Sequence, residues 1–198
     1  EEVKALYDLE KPKSVTVIDL TRVAVEKENA GWEKNNDGMV FSSGKPVAYV
    51  GFKAPVSRHY ELNAEVTINR AKETTCIWLP IATGGSIRFD ITGDNGNTES
   101  PTATISLSGS KEVPTRQTKD DLYKVVIGTP VKLLFIVNQS KSQTHIEVFR
   151  ADKKIYDHRD TFGKFAEPHR LYKNKVGLMT AYYTNSTFHQ LKLRNKEK

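Results

Sequence analysis

The sequence predicts an all-β domain built as a two-sheet antiparallel jelly-roll sandwich, and three observations carry that expectation. Apolar and polar residues alternate with period two along most of the chain, which places successive side chains on opposite faces of a strand. The alternating runs are short, and Gly, Pro, Asn and Asp punctuate them at the spacing of turns. Only 1–11, "EEVKALYDLEK", and 162–172, "FGKFAEPHRLY", read as short helices.

The elements follow in chain order. "SVTVIDL", "GMVFSS" and "VAYVGF" are early strands. In "ELNAEVTINR", Leu62, Ala64, Val66 and Ile68 share one face, and Glu61, Asn63, Glu65, Thr67 and Asn69 share the other. "CIWLPI" sets Trp78 opposite Ile77 and Leu79. "SIRFDI" turns Ile87, Phe89 and Ile91 inward and Arg88 and Asp90 outward. "TATISL" repeats the pattern. The polar stretch 108–124 reads as a long surface loop, and such loops often carry function. "VKLLFIVN", apolar on both faces, is a central strand. "THIEVFRADKKIYDHRD" is a hairpin around the turn 151–154. The final pair is "VGLMTAYY" and "TFHQLKLRN", joined by a Thr-Asn-Ser-Thr turn. Tyr182 and Tyr183 point to opposite faces, and Tyr183 shares its face with small Gly177 and Ala181, leaving room for a ligand. His189, in phase with Leu191 and Leu193, is expected to point inward as a hydrogen-bonded core histidine.

At 198 residues the chain is one domain, with 1–14 an N-terminal extension and 195–198 a tail; a globular chain of this size buries roughly 70% of its unfolded surface. The single cysteine, Cys76, excludes an internal disulfide framework and sits in an apolar run as a buried thiol. No run approaches the ~18 apolar residues of a membrane span. The net charge of +6 owes much to Lys192, Arg194, Lys196 and Lys198, a solvated strand edge and tail. No aromatic–basic pattern of a nucleic-acid-binding sheet accompanies it. The chain opens without Met, a start compatible with a removed export signal and with flanking domains.

The order of the pieces "VIDL", "GWEKNNDGMVFSSG", "YELNAEVTINR", "HIEVFRADKKIYDHRD" and "VGLMTAYYTNSTFHQLKLR" resembles the concanavalin A-like lectin/glucanase superfamily in its laminin-G-like bacterial branch. The resemblance spans about residues 15–194, and Lys153 stands where the branch usually has Gly. It implies two antiparallel sheets, one of them concave, and a location outside the cytoplasm: secreted, periplasmic or on the cell surface. It implies three kinds of function: carbohydrate binding, glycoside hydrolysis or lysis of the 3-keto-disaccharide hydrolase-like kind, and laminin-G-type protein interaction.

Retaining glucanases of this superfamily carry an E-x-D-x-E strand motif that sets two carboxyls about 5–5.5 Å apart. The motif is missing here, which points away from catalysis, and Glu61 with Glu65 reads as a solvated face. The five histidines have no metal-site spacing, so zinc is not expected. In "DITGDNGNTES", Asp94, Asn95 and Asn97 are weak calcium candidates; an EF-hand frame from Asp90 puts Asn95 where Gly belongs. No other cofactor is implied.

What remains is a sugar-binding surface, where aromatic faces meet C–H-rich rings and polar side chains meet hydroxyls. Trp78, Arg88, Asp90, Tyr183 and Glu65 are the candidates for ligand contact, with a poly- or oligosaccharide as partner. Packing against a covering loop is the competing role for Trp78, and a plain ion pair that for Arg88 and Asp90. The enzymatic alternative requires Glu65 and Asp90 to converge in one pocket.

Overall fold

A computed structural model describes residues 15–29, 31–42, 47–81, 86–93, 102–108, 121–161, 175–181 and 183–196. Fifteen strands run β1 (Thr16–Asp19), β2 (Val25–Glu28), β3 (Trp32–Asn35), β4 (Gly38–Ser42), β5 (Val47–Phe52), β6 (His59–Arg70), β7 (Thr74–Pro80) and β8 (Ser86–Gly93). They continue with β9 (Thr102–Ser108), β10 (Lys124–Val126), β11 (Pro130–Gln139), β12 (Gln143–Arg150), β13 (Lys153–Thr161), β14 (Gly177–Ala181) and β15 (Asn185–Lys196). Single 3₁₀ turns occupy Leu20–Arg22 and Asp121–Tyr123.

The strands form two antiparallel sheets. One has eight strands in the order β13-β12-β11-β6-β15-β4-β3, with β1 also pairing β15. The other has seven, in the order β10-β9-β8-β7-β14-β5-β2. The jelly-roll sandwich expected from the alternation is therefore present. β2, β3 and β10 do not stand out in the sequence, because "VEKE", "WEKN" and "KVV" carry too few alternating positions. The two helical expectations, 1–11 and 162–172, lie outside the described residues.

The core lies between the sheets. From the eight-stranded sheet come Tyr60, Leu62, Phe135, Val137, Phe188, Leu191 and Leu193, and from the seven-stranded one Val50, Ile77, Leu79, Phe89, Ile91 and Leu178, all essentially inaccessible to solvent. Phe89 meets Phe135 edge-on across the interface, with centroids 4.8 Å apart, a geometry that suits the ring quadrupoles. Tyrosines tie the layers at their polar tips: Tyr60 Oη donates to Pro80 O at 2.9 Å and Tyr156 Oη to Ile105 O at 3.0 Å. Each satisfies a group whose burial would otherwise cost about 1–3 kcal/mol. Trp32 packs on the core edge, stacked against Phe41.

Two local expectations are corrected. The hairpin at 151–154 is tighter than a four-residue turn: β12 runs to Arg150 and β13 starts at Lys153, with Ala151 and Asp152 both at positive φ (48° and 63°). Consecutive positive φ values suit the twist of a two-residue hairpin, so no glycine is needed at Lys153.

His189 is exposed and not a core histidine. A β-bulge between Phe188 and Gln190 inserts it as an extra residue, since Phe188 pairs with Val66 and Gln190 with Glu65. The bulge shifts the alternation by one, so Phe188, Leu191 and Leu193 all face inward while His189 turns out. There its Nδ1 donates to Asp37 O at 2.9 Å, and its Nε2 lies 2.8 Å from the Thr67 hydroxyl. Gly38 sits against this bulge at φ 130°; a Cβ there would lie 2.1 Å from Phe188 O.

Candidate functional site

Antiparallel register carries the outward residues of the seven-stranded sheet into one patch. Cys76 stands opposite Asp90 and Trp78 opposite Arg88 on β7 and β8. On the other side of β7, Met179 faces Cys76 and Gly177 faces Trp78, and beyond β14 Tyr49 of β5 faces Met179. Cys76 and Trp78 form a small apolar cluster outside the main core, flanked by half-buried Tyr49 and Met179. Asn29 braces the strand that holds Tyr49, donating to Val47 O at 2.7 Å and accepting from Tyr49 N at 2.8 Å.

Arg88 is the polar centre of this patch. Its Nε donates to an Asp90 carboxylate oxygen at 2.9 Å, and its guanidinium carbon lies 5.8 Å from the centre of the Trp78 ring. The Arg88 side chain is 39% exposed, whereas that of Asp90 is 7% exposed. Burial pushes the Asp90 carboxyl above its ordinary value; the Arg88 charge and hydrogen bonds from Cys76 and Arg88 pull the other way. Burial, then the charge of Asp90, raises the Cys76 thiol. A thiol raised in this way stays protonated beside the Asp90 carboxyl. The result is a guanidinium fixed by a buried carboxylate and set over an indole.

The sequence-derived candidates separate in space. Trp78, Arg88 and Asp90 come together, but Trp78 is 6% exposed and backs the arginine instead of offering an open stacking platform. Tyr183 is not beside them. β14 ends at Ala181, about 13 Å along the strand from Gly177, and Tyr183 turns into a left-handed conformation (φ 59°). It lies 54% exposed at the end of the sandwich, with the Lys72 ammonium 4.9 Å from its ring centre.

Glu65 is on the other sheet altogether. It faces outward from β6 beside Lys132, 4.0 Å away, in a shallow cleft of about 520 Å³. Asp90 also faces outward, so the sandwich, with sheets about 10 Å apart, stands between the two carboxylates. They do not converge on one sugar. The calcium candidates Asp94, Asn95 and Asn97 lie outside the described residues.

Strand pairing also joins groups that no sequence spacing connected. His145, Glu147 and Asp157 offer ligand atoms within 4.8 Å of one another on β12 and β13. Lys154 already supplies a cation there, with Nζ 2.7 Å from Glu147 and 2.6 Å from Asp157. Its hydrogen bond is the main cause that pushes Asp157 down to about 2. The sequence likewise does not show Cys76, Tyr49 and Met179 as neighbours of Trp78, because the pairing that unites them is long-range.

No protein-family profile matches the chain, and no curated protein matches it in sequence. Solved structures do. A carbohydrate-binding module, CBM66 from Bacillus subtilis, is 9% identical and aligns over 89% of this chain and 94% of that one, with a TM-score of 0.50. The Crh5 transglycosylase in complex with NAG is 9% identical over 94% and 86%, with a TM-score of 0.52. A lectin from Bauhinia forficata in complex with GalNAc is 9% identical over 91% and 98%, with a TM-score of 0.50. At this identity the likeness is one of fold, and the fold is the concanavalin A-like jelly roll.

Proposed function

We propose that the chain is a non-catalytic carbohydrate-binding module of a secreted or surface protein. It would receive a poly- or oligosaccharide on the outer face of the seven-stranded sheet. The observation that carries this reading is the Arg88 guanidinium, half-exposed, held by Asp90 and set over the ring of Trp78, against whose cluster with Cys76 the side chains of Tyr49 and Met179 pack. A sugar offers hydroxyls for such a fork of donors and apolar C–H faces for the surrounding side chains. The shared fold with a carbohydrate-binding module and a lectin supports the same class of partner. No helix among the described residues is long and apolar enough to cross a membrane.

The competing readings have less behind them. Two-carboxylate hydrolysis needs both groups at one glycosidic bond, and Glu65 and Asp90 stand on opposite outer faces. The fold shared with a transglycosylase does not replace that pair. A protein-docking surface would be a contiguous apolar patch. The large exposed apolar residues among those described are Val15, Val17, Val126 and Tyr183, which divide between β1 with its flank, β10 and the turn after β14.

The test is a glycan array followed by calorimetry on wild type and Arg88→Met, with circular dichroism to confirm folding. Binding of a neutral oligosaccharide that weakens at least about tenfold in the variant, the loss of a charged hydrogen-bond donor, is expected. Absence of any glycan ligand, or equal affinity of a folded variant, would overturn the assignment.

A further inference from the structure

On the opposite sheet, five adjacent strands bring their outward residues into a single row at one end of the sandwich. Arg159 of β13 pairs with His145 of β12, His145 with Asn138 of β11, Asn138 with His59 of β6, and His59 with Lys196 of β15. At a strand spacing of about 4.8 Å the row is about 19 Å long. Arg58, next to His59, and Lys141, in the turn between β11 and β12, flank it. Two depressions of about 210 Å³ and 680 Å³ open along the row and share His59, Gln139 and Ser140. Among the described residues, no carboxylate lines either one.

Acids do occupy the next row, as Asp157, Glu147 and Glu61, but their charges are met on the spot. Lys154 bonds both Glu147 and Asp157, and His145 lies 2.9 Å from Asp157. Arg194 lies 3.6 Å from Glu61, which Lys196 also contacts. Arg58, Lys141 and Arg159 are exposed and have no acidic partner among the described residues. Three unmatched cations thus border a groove with amide and imidazole hydrogen-bonding groups along its floor.

We infer that this row binds the acidic groups, sulfate or carboxylate, of an anionic polysaccharide. Arginine suits both, because its planar fork meets two oxygens at once. Asn138 and the imidazoles can bond the intervening hydroxyls. Single-stranded nucleic acid fits less well, because its sites add large aromatic side chains on which bases stack, and no Phe, Tyr or Trp among the described residues lines either depression. The site is on the other sheet from Arg88, so it stands or falls independently of the reading given there.

The test titrates the 198-residue chain with a heparin oligosaccharide, an oligogalacturonate, a neutral dextran oligosaccharide and a single-stranded DNA oligomer. Heparin or oligogalacturonate is expected to bind at low salt and to be released at about 1 M salt, where the Debye length is about 3 Å. The two acidic probes tell sulfate from carboxylate. Replacing Arg58, Lys141 and Arg159 together by Gln should weaken binding at least about tenfold, the combined size of three exposed charge pairs. Replacing Lys53, Lys153 and Lys192, which are exposed off the row, should leave it within about twofold. All six side chains lie on the surface, and unchanged melting temperatures confirm that both variants fold. No binding of either acidic glycan, an unaffected row variant, or an equal loss in the off-row variant would overturn the inference. So would tighter binding of the DNA oligomer than of both acidic glycans. Binding of neutral glycans through Arg88 is read separately, so failure of one site is not failure of the other.

Discussion

Replacing Arg88 by Met isolates the interaction at the centre of the proposed glycan face. The substitution keeps an unbranched apolar stem against Trp78 and removes the charge that Asp90 holds. Breaking a fully buried ion pair by deleting one partner costs about 3–5 kcal/mol. Arg88 is 39% exposed, and water screens part of what it contributes, so the expected loss at pH 7 is about 2 kcal/mol. For a chain of this size that corresponds to a fall in Tm of about 4–8 °C. The loss should depend on pH with a definite sign. Burial already raises the Asp90 carboxyl, and without Arg88 it rises further. The folded state then binds the proton more tightly than the unfolded state, whose carboxyl titrates near 3.9. Stability of the variant should therefore fall as pH rises from about 4 through the folded-state value, and recover on acidification. Adding Asp90→Asn removes the stranded charge, so the double variant should be more stable than Arg88→Met alone at pH 7. Urea unfolding of the four proteins across pH 4–8 gives the coupling energy directly, with about 1–2 kcal/mol expected. Additive losses within about 0.5 kcal/mol, or a pH-independent penalty, would refute this account of the pair.

Two further substitutions probe the frame around it. Gly38→Ala drives a methyl group to within 2.1 Å of Phe188 O at a φ of 130°. Both the turn and the bulge must shift, so a loss of about 3 kcal/mol or more in urea unfolding is expected; a loss below about 1 kcal/mol would show that the bulge yields easily. Asp157, pushed down to about 2 chiefly by Lys154, contributes stability that is complete above its unfolded value of about 3.9 and disappears as pH falls toward 2. Asp157→Asn should flatten that acid limb of the stability–pH curve, and an unchanged limb would remove Asp157 from the account of acid unfolding.

The alternation of Leu62, Ala64, Val66 and Ile68, and of Ile87, Phe89 and Ile91, determined that the chain is a β-sandwich and which faces look inward. That information is local, because a strand's side-chain period is two wherever the strand lies. It also placed Arg88 and Asp90 outward and together. It could not determine which outward face each residue joins. Glu65 and Asp90 read alike as polar positions, yet they lie on opposite sides of the molecule, since sheet membership depends on partners far along the chain. His189 departs from its expected face for a related reason: one extra residue in β15 reverses the alternation, and only the pairing with β6 shows where. Tyr183 left its expected face because the strand ends at Ala181 and the chain turns left-handed. The row from Arg159 to Lys196 draws on five strands spread over 138 residues of sequence. Residue type supplied its charges, but register alone set them side by side.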